Sequence, residues 1–107
     1  NATIVISVNT IEKATIPDFV EFIGPSSFFG CLHLREVEFS KNSKLRSIGR
    51  CAFVNSIFES FTIPPHLTFI GEYAFASCPK LIKIEIPENS ELRTIGKKLF
   101  LTQKLNA

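Results

Sequence analysis

The dipeptide Ile-Gly returns four times along this chain, at Ile23-Gly24, Ile48-Gly49, Ile70-Gly71 and Ile95-Gly96. A Phe follows each Gly by four residues: Phe28, Phe53, Phe75 and Phe100. The glycines are 25, 22 and 25 residues apart, a mean of 24. No other feature constrains the fold as strongly. A unit this short cannot bury an apolar face alone and must stack on its neighbours.

More of the unit repeats with it. A small residue follows the first three Phe by three: Cys31, Ser56 and Cys78. An apolar triplet then recurs with polar residues between its members: Leu34, Val37, Phe39; Phe58, Phe61, Ile63; Leu81, Ile84, Ile86. Ile11, Ala14 and Ile16 form the same triplet ahead of the first Ile-Gly. Pro17, Pro64 and Pro87 close three of the four. A 47-residue period lies on top, and sixteen of the 38 positions in 16–53 are identical in 63–100. Short loops (Ile-Pro-x-x-Val/Leu) therefore alternate with longer ones (Asn-Ser-x-Leu-Arg), as if a two-repeat unit had been duplicated. Counting one period back places Ile4 at the Phe position and Ser7 at the small position. Counting forward places Leu105 where Phe58 falls. Residues 1–107 thus read as one domain of about four repeats, cut mid-repeat at both ends and without a polar cap of the kind solenoids need. The absence of an initiator Met fits a cut or processed piece.

Each triplet has the period-two end of a half-buried strand. The spacing predicts Val37, Phe39 and their equivalents facing inward. It turns Lys13, Thr15, Glu36, Glu38, Ser60, Thr62, Lys83 and Glu85 to the opposite face. Proline ends a strand because it offers no N–H. Asn42-Ser43 and Asn89-Ser90 are turn residues, since Asn tolerates left-handed backbone, and the Gly is expected to supply a tight turn. Residues 72–78 read as about two turns of helix held by packing. The expected architecture is an α/β repeat solenoid. It has a parallel β-sheet on one face, short helical turns or loops on the other, and ladders of Phe and Ile inside.

These residues resemble the BspA-like, or treponemal-type, leucine-rich repeats, whose pattern is L-x-x-V/I-x-I-P-x-x-V/L-x-x-I-G-x-x-A-F-x-x-C. Residues 58–78 (FESFTIPPHLTFIGEYAFASC) and 81–100 (LIKIEIPENSELRTIGKKLF) follow it closely, and the likeness covers about residues 11–105. Phe29, Leu99, Ala14 and Ser40 depart from it. The resemblance implies a non-enzymatic protein-binding module. Its settings are cell-surface adhesins of anaerobic bacteria and treponemes and expanded families of trichomonad and amoebic protozoa. It further implies a partner such as a host matrix protein or another cell surface. An intracellular interaction scaffold is the alternative, and the accessory repeats of an enzyme a third reading.

Charge and chemistry narrow the field. Twelve Lys and Arg against ten Asp and Glu leave a net charge of +2, too little for a dedicated nucleic-acid or anionic-membrane binder. No apolar run approaches the roughly 18 residues of a membrane span. Cys31 and Cys78 share a repeat position two coils apart. That is roughly 10 Å, beyond the reach of a disulfide, so both are expected as small buried rungs with Ser56 between them. Cys51 falls two residues after its Gly, where other repeats carry Ser26, Tyr73 and Lys98, and is expected nearer the surface. Cys31-Leu32-His33 would pair a thiol with an imidazole, but nothing marks the third group that nucleophilic catalysis requires. No metal or phosphate motif appears either. No catalytic, cofactor or metal residue is assigned, and His33 and His66 are expected in solvent. Equivalent charges mostly alternate in sign between coils (Glu12, Arg35 and Glu59; Arg50 and Glu72), which allows pairing across strands. The alternative binding feature is a basic patch of Lys41, Lys44, Arg46 and Arg50 meeting an acidic partner. Asn1-Ala2-Thr3 matches a glycosylation sequon.

Overall fold

The computed structural model describes residues 10–100 and the backbone strand Thr3–Ile4. The sequon at Asn1, Ser7 and Leu105 lie outside the described residues. Among the described residues, nine parallel-paired strands wind as a solenoid of about four turns. Two kinds alternate along the chain. Strands β1 (Thr3–Ile4), β3 (Phe22–Ile23), β5 (Ser47–Ile48), β7 (Phe69–Ile70) and β9 (Thr94–Ile95) stack as one five-stranded ribbon, and the last four carry the Ile of each Ile-Gly. Strands β2 (Lys13–Ile16), β4 (Glu36–Phe39), β6 (Ser60–Thr62) and β8 (Lys83–Glu85) carry the triplets.

The core matches the sequence ladders. Phe28, Phe53 and Phe75 are fully buried, and neighbouring rings stack at 5.1 and 5.7 Å between centroids. Phe100 continues the stack on Phe75 at 6.3 Å. Phe58 and Phe61 pack edge-on or tilted against Phe53 and Phe75. Ile23, Ile48 and Ile70 form the second buried column, and Cys31, Ser56 and Cys78 a third. In the Ile86–Gly96 coil the inward pattern weakens. Ile86 is 55% exposed and Ile95 51%.

Four expectations are corrected. First, the register pairs Ile4 with Ile23, so Ile4 belongs to the Ile column and not to the Phe position. Second, the expected helical turns are absent: the described residues contain no helix. Ser26, Cys51, Tyr73 and Lys98, each two after its Gly, have φ of 58, 59, 59 and 56°, and Gly30, Asn55 and Ser77, four further on, have 75, 73 and 53°. Left-handed residues at that spacing break a right-handed helix. The segment is instead a run of overlapping turns in which alternate N–H groups bond locally or across coils. Ala76 N–H donates to Tyr73 O at 3.1 Å, whereas Phe75 N–H donates to Leu99 O at 3.2 Å.

Third, Asn42 and Asn89 do not have positive φ. The neighbouring serines make these turns: Ser43 Oγ accepts from Leu45 N–H and Ser90 Oγ from Leu92 N–H, both at 3.2 Å. The repeated glycines likewise do not serve through a positive φ. A Cβ at Gly71 would lie 2.6 Å from the Arg50 backbone nitrogen, and one at Gly96 2.4 Å from that of Glu72. Adjacent coils touch there backbone to backbone, which only Gly permits.

Fourth, the triplet strands do not form one sheet. β2 pairs with β4 and β6 with β8, but β4 and β6 do not pair. The cause is one missing residue. From Gly to the last triplet residue is 15 positions for Gly24–Phe39 and Gly71–Ile86, but 14 for Gly49–Ile63. Cys31–Leu34 and Cys78–Leu81 enclose two residues, whereas Ser56–Phe58 encloses only Ile57. The bond into this coil therefore starts at Ile57 N–H to Leu34 O (2.9 Å), with the donor two residues and the acceptor one residue earlier in the repeat than in the Arg35-to-Glu12 and Ile82-to-Glu59 bonds.

Candidate protein-binding groove

The seam between β4 and β6 opens as a groove of about 920 Å³ on the strand face. Its floor includes half-buried Val37 and Phe39 and buried Ile63. One wall is β4 with the preceding coil: Glu12, Lys13, Arg35, Glu36 and Glu38. The other carries Glu59, Ser60, Thr62 and Lys80. Buried Pro64 and half-buried Pro65 and Pro87 stand at the strand ends, where they withhold N–H donors.

All eight residues expected on the outward face are exposed. Lys13, Glu36, Glu38, Ser60 and Thr62 line the groove; Thr15, Lys83 and Glu85 do not. Pairing between coils has used part of the charge. Lys13 Nζ lies 3.4 Å from Glu38, and Arg35 Nε 3.8 Å from Glu12. Beyond the groove, Lys83 Nζ lies 3.5 Å from Glu85, which also accepts from the Thr62 hydroxyl at 3.2 Å. Such exposed pairs contribute ~0–1 kcal/mol each and open readily for a partner. Glu36, Glu59, Lys41 and Lys80 form no ion pair among the described residues, so both signs remain available in the groove.

The basic patch is divided. Lys41 lines the groove, whereas Lys44, Arg46 and Arg50 do not. Arg50 is committed elsewhere, 4.0 Å from Glu72 and 5.8 Å above the Tyr73 ring. The sequence reading missed Arg35, Glu59 and Lys80 as groove residues. The signal for them was the one-residue deficit between Ser56 and Phe58, which predicts a parted seam beside those positions.

The candidate nucleophiles sit apart from this surface. Cys31 and Cys78 are buried, Cys51 is half-buried, and none of the three forms a disulfide. Burial raises the Cys31 thiol pKa and pushes that of Cys78 up from 9.0 to about 11, although backbone hydrogen bonds oppose the shift at Cys78. A nucleophilic Cys needs the opposite shift, and His33 is exposed while Cys31 is in the core. His66 Nδ1 sits 2.8 Å from Glu91 in the adjacent long-loop coil. No helix among the described residues is long and apolar enough to cross a membrane.

Comparison with known proteins agrees with this geometry. Residues 6–107 match the model of the BspA type leucine rich repeat region. No curated protein matches the chain. Among solved structures, the pneumococcal vaccine antigen PcpA is similar at 27% identity and a TM-score of 0.76, over 88% of this chain and 29% of that one. A leucine-rich repeat protein from Bacteroides ovatus shares the fold at 22% identity and a TM-score of 0.67, over 97% of this chain and 30% of that one. The chain therefore spans less than a third of either. Leucine-rich repeats generally mediate protein interactions. The family match over residues 6–107, with the stacked Phe and Gly ladders that its motif requires, makes the chain a member of the BspA-type leucine-rich repeat family.

Proposed function

We propose that this chain is a non-enzymatic protein-binding module of a cell-surface or secreted adhesin-type protein, and that the groove at the β4/β6 seam is its contact surface. The observation that carries the reading is the groove itself, where the strand face parts and half-buried Phe39, Pro65 and Pro87 lie beside unpaired charge. The likeness to PcpA, a vaccine antigen, supports display outside the cell.

The strand face is narrow. Four strands at ~4.8 Å span only ~15–20 Å, against the ~800 Å² per partner of a standard interface. Residues 1–107 alone therefore bind weakly, at roughly micromolar affinity or poorer. In this reading they form one stretch of a longer array, and linked copies add ~10²–10⁴ in avidity.

The test is binding to immobilised matrix proteins. Replacing Glu36, Glu38 and Lys83 together is expected to weaken binding while leaving the unfolding midpoint in place, since all three side chains are exposed. Normal binding by that variant, with binding abolished by changes at Lys44, Arg46 and Arg50, which lie outside the groove, would move the site to the basic patch.

A further inference from the structure

The outer face of the five-stranded ribbon carries what the strand face lacks. Three ribbon coils are each anchored by two buried residues three apart, Val20 and Ile23, Leu45 and Ile48, Leu67 and Ile70, and half-buried Leu92 and exposed Ile95 hold the same positions in the next coil. Two residues between each pair of anchors are left outside. In successive coils they read Glu21-Phe22, Arg46-Ser47, Thr68-Phe69 and Arg93-Thr94. The register sets Phe22 against Ser47, Ser47 against Phe69, and Phe69 against Thr94. The Arg46-to-Glu21, Thr68-to-Arg46 and Arg93-to-Thr68 backbone bonds stack the other column in the same order.

The 47-residue duplication thus writes a checkerboard on this face, with Phe in one coil and Arg in the next. Phe69 is 42% exposed and Phe22 half-buried. They lie two ladder spacings apart, roughly 10 Å, with only the small Ser47 between. That makes a notch one side chain wide, walled by two rings. Arg46 and Arg93 are exposed beside it and form no ion pair among the described residues, whereas Arg35 and Arg50 each meet a Glu of an adjacent coil. Aromatic and Arg side chains are the commonest interface anchors. Two unpaired Arg, in a column they share with Glu21 and Thr68, lie next to the apolar notch and are complementary to an acidic chain bearing an apolar side chain.

We propose that this ribbon face is a second docking surface, and that it takes an acidic protein segment. One aliphatic or aromatic side chain of that segment seats over Ser47 between Phe22 and Phe69, and its carboxylates meet Arg46 and Arg93. The surface is separate from the groove, so either reading can fail without the other.

A synthetic peptide with a single Leu flanked by Glu residues serves as probe, titrated into the isotopically labelled chain at low salt and followed by amide shifts. The shifts are expected at Phe22, Ser47, Phe69 and Thr94. A peptide with Gln for Glu should bind at least tenfold more weakly, as should the double variant Phe22→Thr/Phe69→Thr. Thr is tolerated at this ribbon position, as Thr94 shows, and an unchanged amide spectrum elsewhere confirms that the variant folds. Arg46→Gln/Arg93→Gln should remove the salt dependence, and replacing Glu36, Glu38 and Lys83 should change nothing here. Shifts confined to the groove overturn the proposal, as does no binding at millimolar peptide. So does binding of a sulfated oligosaccharide that displaces the peptide and is indifferent to the Phe substitutions, since the face would then be a simple anion surface.

Discussion

The ribbon of β1, β3, β5, β7 and β9 runs unbroken through five coils, whereas the wall built from β2, β4, β6 and β8 parts between β4 and β6. Both walls carry length variation. On the ribbon side, the last triplet residue precedes Gly by eight positions in two coils (Ile16–Gly24, Ile63–Gly71) and by ten in two others (Phe39–Gly49, Ile86–Gly96). The two extra residues are accommodated in an exposed loop closed by Ser43 or Ser90, and the strands beyond keep their register. On the other side a single residue is lost, next to a strand and beside the core. Shifting a strand by one residue exchanges its two faces. That has not happened in β6: Phe61 is buried, and Ser60 and Thr62 are exposed. The chain gave up the β4–β6 ladder instead. Magnitudes explain the choice. Burying a Phe is worth ~1.5–3 kcal/mol, whereas a backbone hydrogen bond that water can replace is worth ~0.5–1.5. Apolar ladders therefore hold the coils in line, and strand pairing follows where length permits.

The largest expected effect tests that ranking. Phe75 lies between Phe53 and Phe100 and meets Phe58 and Phe61 edge-on. Phe75→Ala is expected to lower stability by ~3–5 kcal/mol in denaturant titration, a large part of the ~5–15 available to a domain. A loss under ~1 kcal/mol would show that the Phe spine does not hold the coils together.

A smaller effect comes from the thiol column. Cys78 is neutral when folded, and burial raises its pKa to about 11, above the unfolded value near 9. Cys31 is shifted in the same direction. For an acid with a raised folded pKa, stability is fully present below the unfolded pKa and is lost as pH rises through the folded one. The unfolding midpoint should therefore hold steady to about pH 9 and fall from there to about 11. Cys78→Ser should lessen that fall. In the native protein at neutral pH a thiol reagent should label Cys51 first. Equal labelling of all three cysteines would show that the column is open to solvent.

These features differ in how legible they were in sequence. The Phe, Ile and Cys/Ser ladders could be read directly, because equivalent side chains in successive coils must meet. The outward strand residues could be read from alternation. The overlapping turns could not. Glu72-Tyr73-Ala74-Phe75-Ala76 has ordinary helix composition, and what excludes a helix is the adjacent coil, which accepts every second N–H. The role of Gly escaped for the same reason, since a backbone contact between coils leaves no mark on composition. The groove was legible only as arithmetic: one residue between Ser56 and Phe58 where the other coils have two.

That arithmetic yields the smallest and most discriminating prediction. Inserting one Ser after Ile57 restores the two-residue spacer. Ile82 N–H to Glu59 O and Ile63 N–H to Glu85 O show that residues 59 and 63 turn their backbone groups toward β8. Alternation along the strand then leaves the Ser60 and Thr62 backbone facing β4, where no ladder forms. In the native chain those two amides should exchange rapidly with solvent. In the insertion variant they should become protected, as β4 and β6 join β2 and β8 in one four-stranded sheet. Each regained bond adds ~0.5–1.5 kcal/mol, offset by ordering one more residue at ~1–2 kcal/mol, so overall stability should move by less than about 1 kcal/mol. Binding should respond more than stability, because closing the seam removes the groove while leaving Glu36, Glu38 and Lys83 in place. Unchanged exchange at Ser60 and Thr62 would show that something other than coil length parts the strands. Protection gained with binding intact would show that the face needs its charges but not its groove.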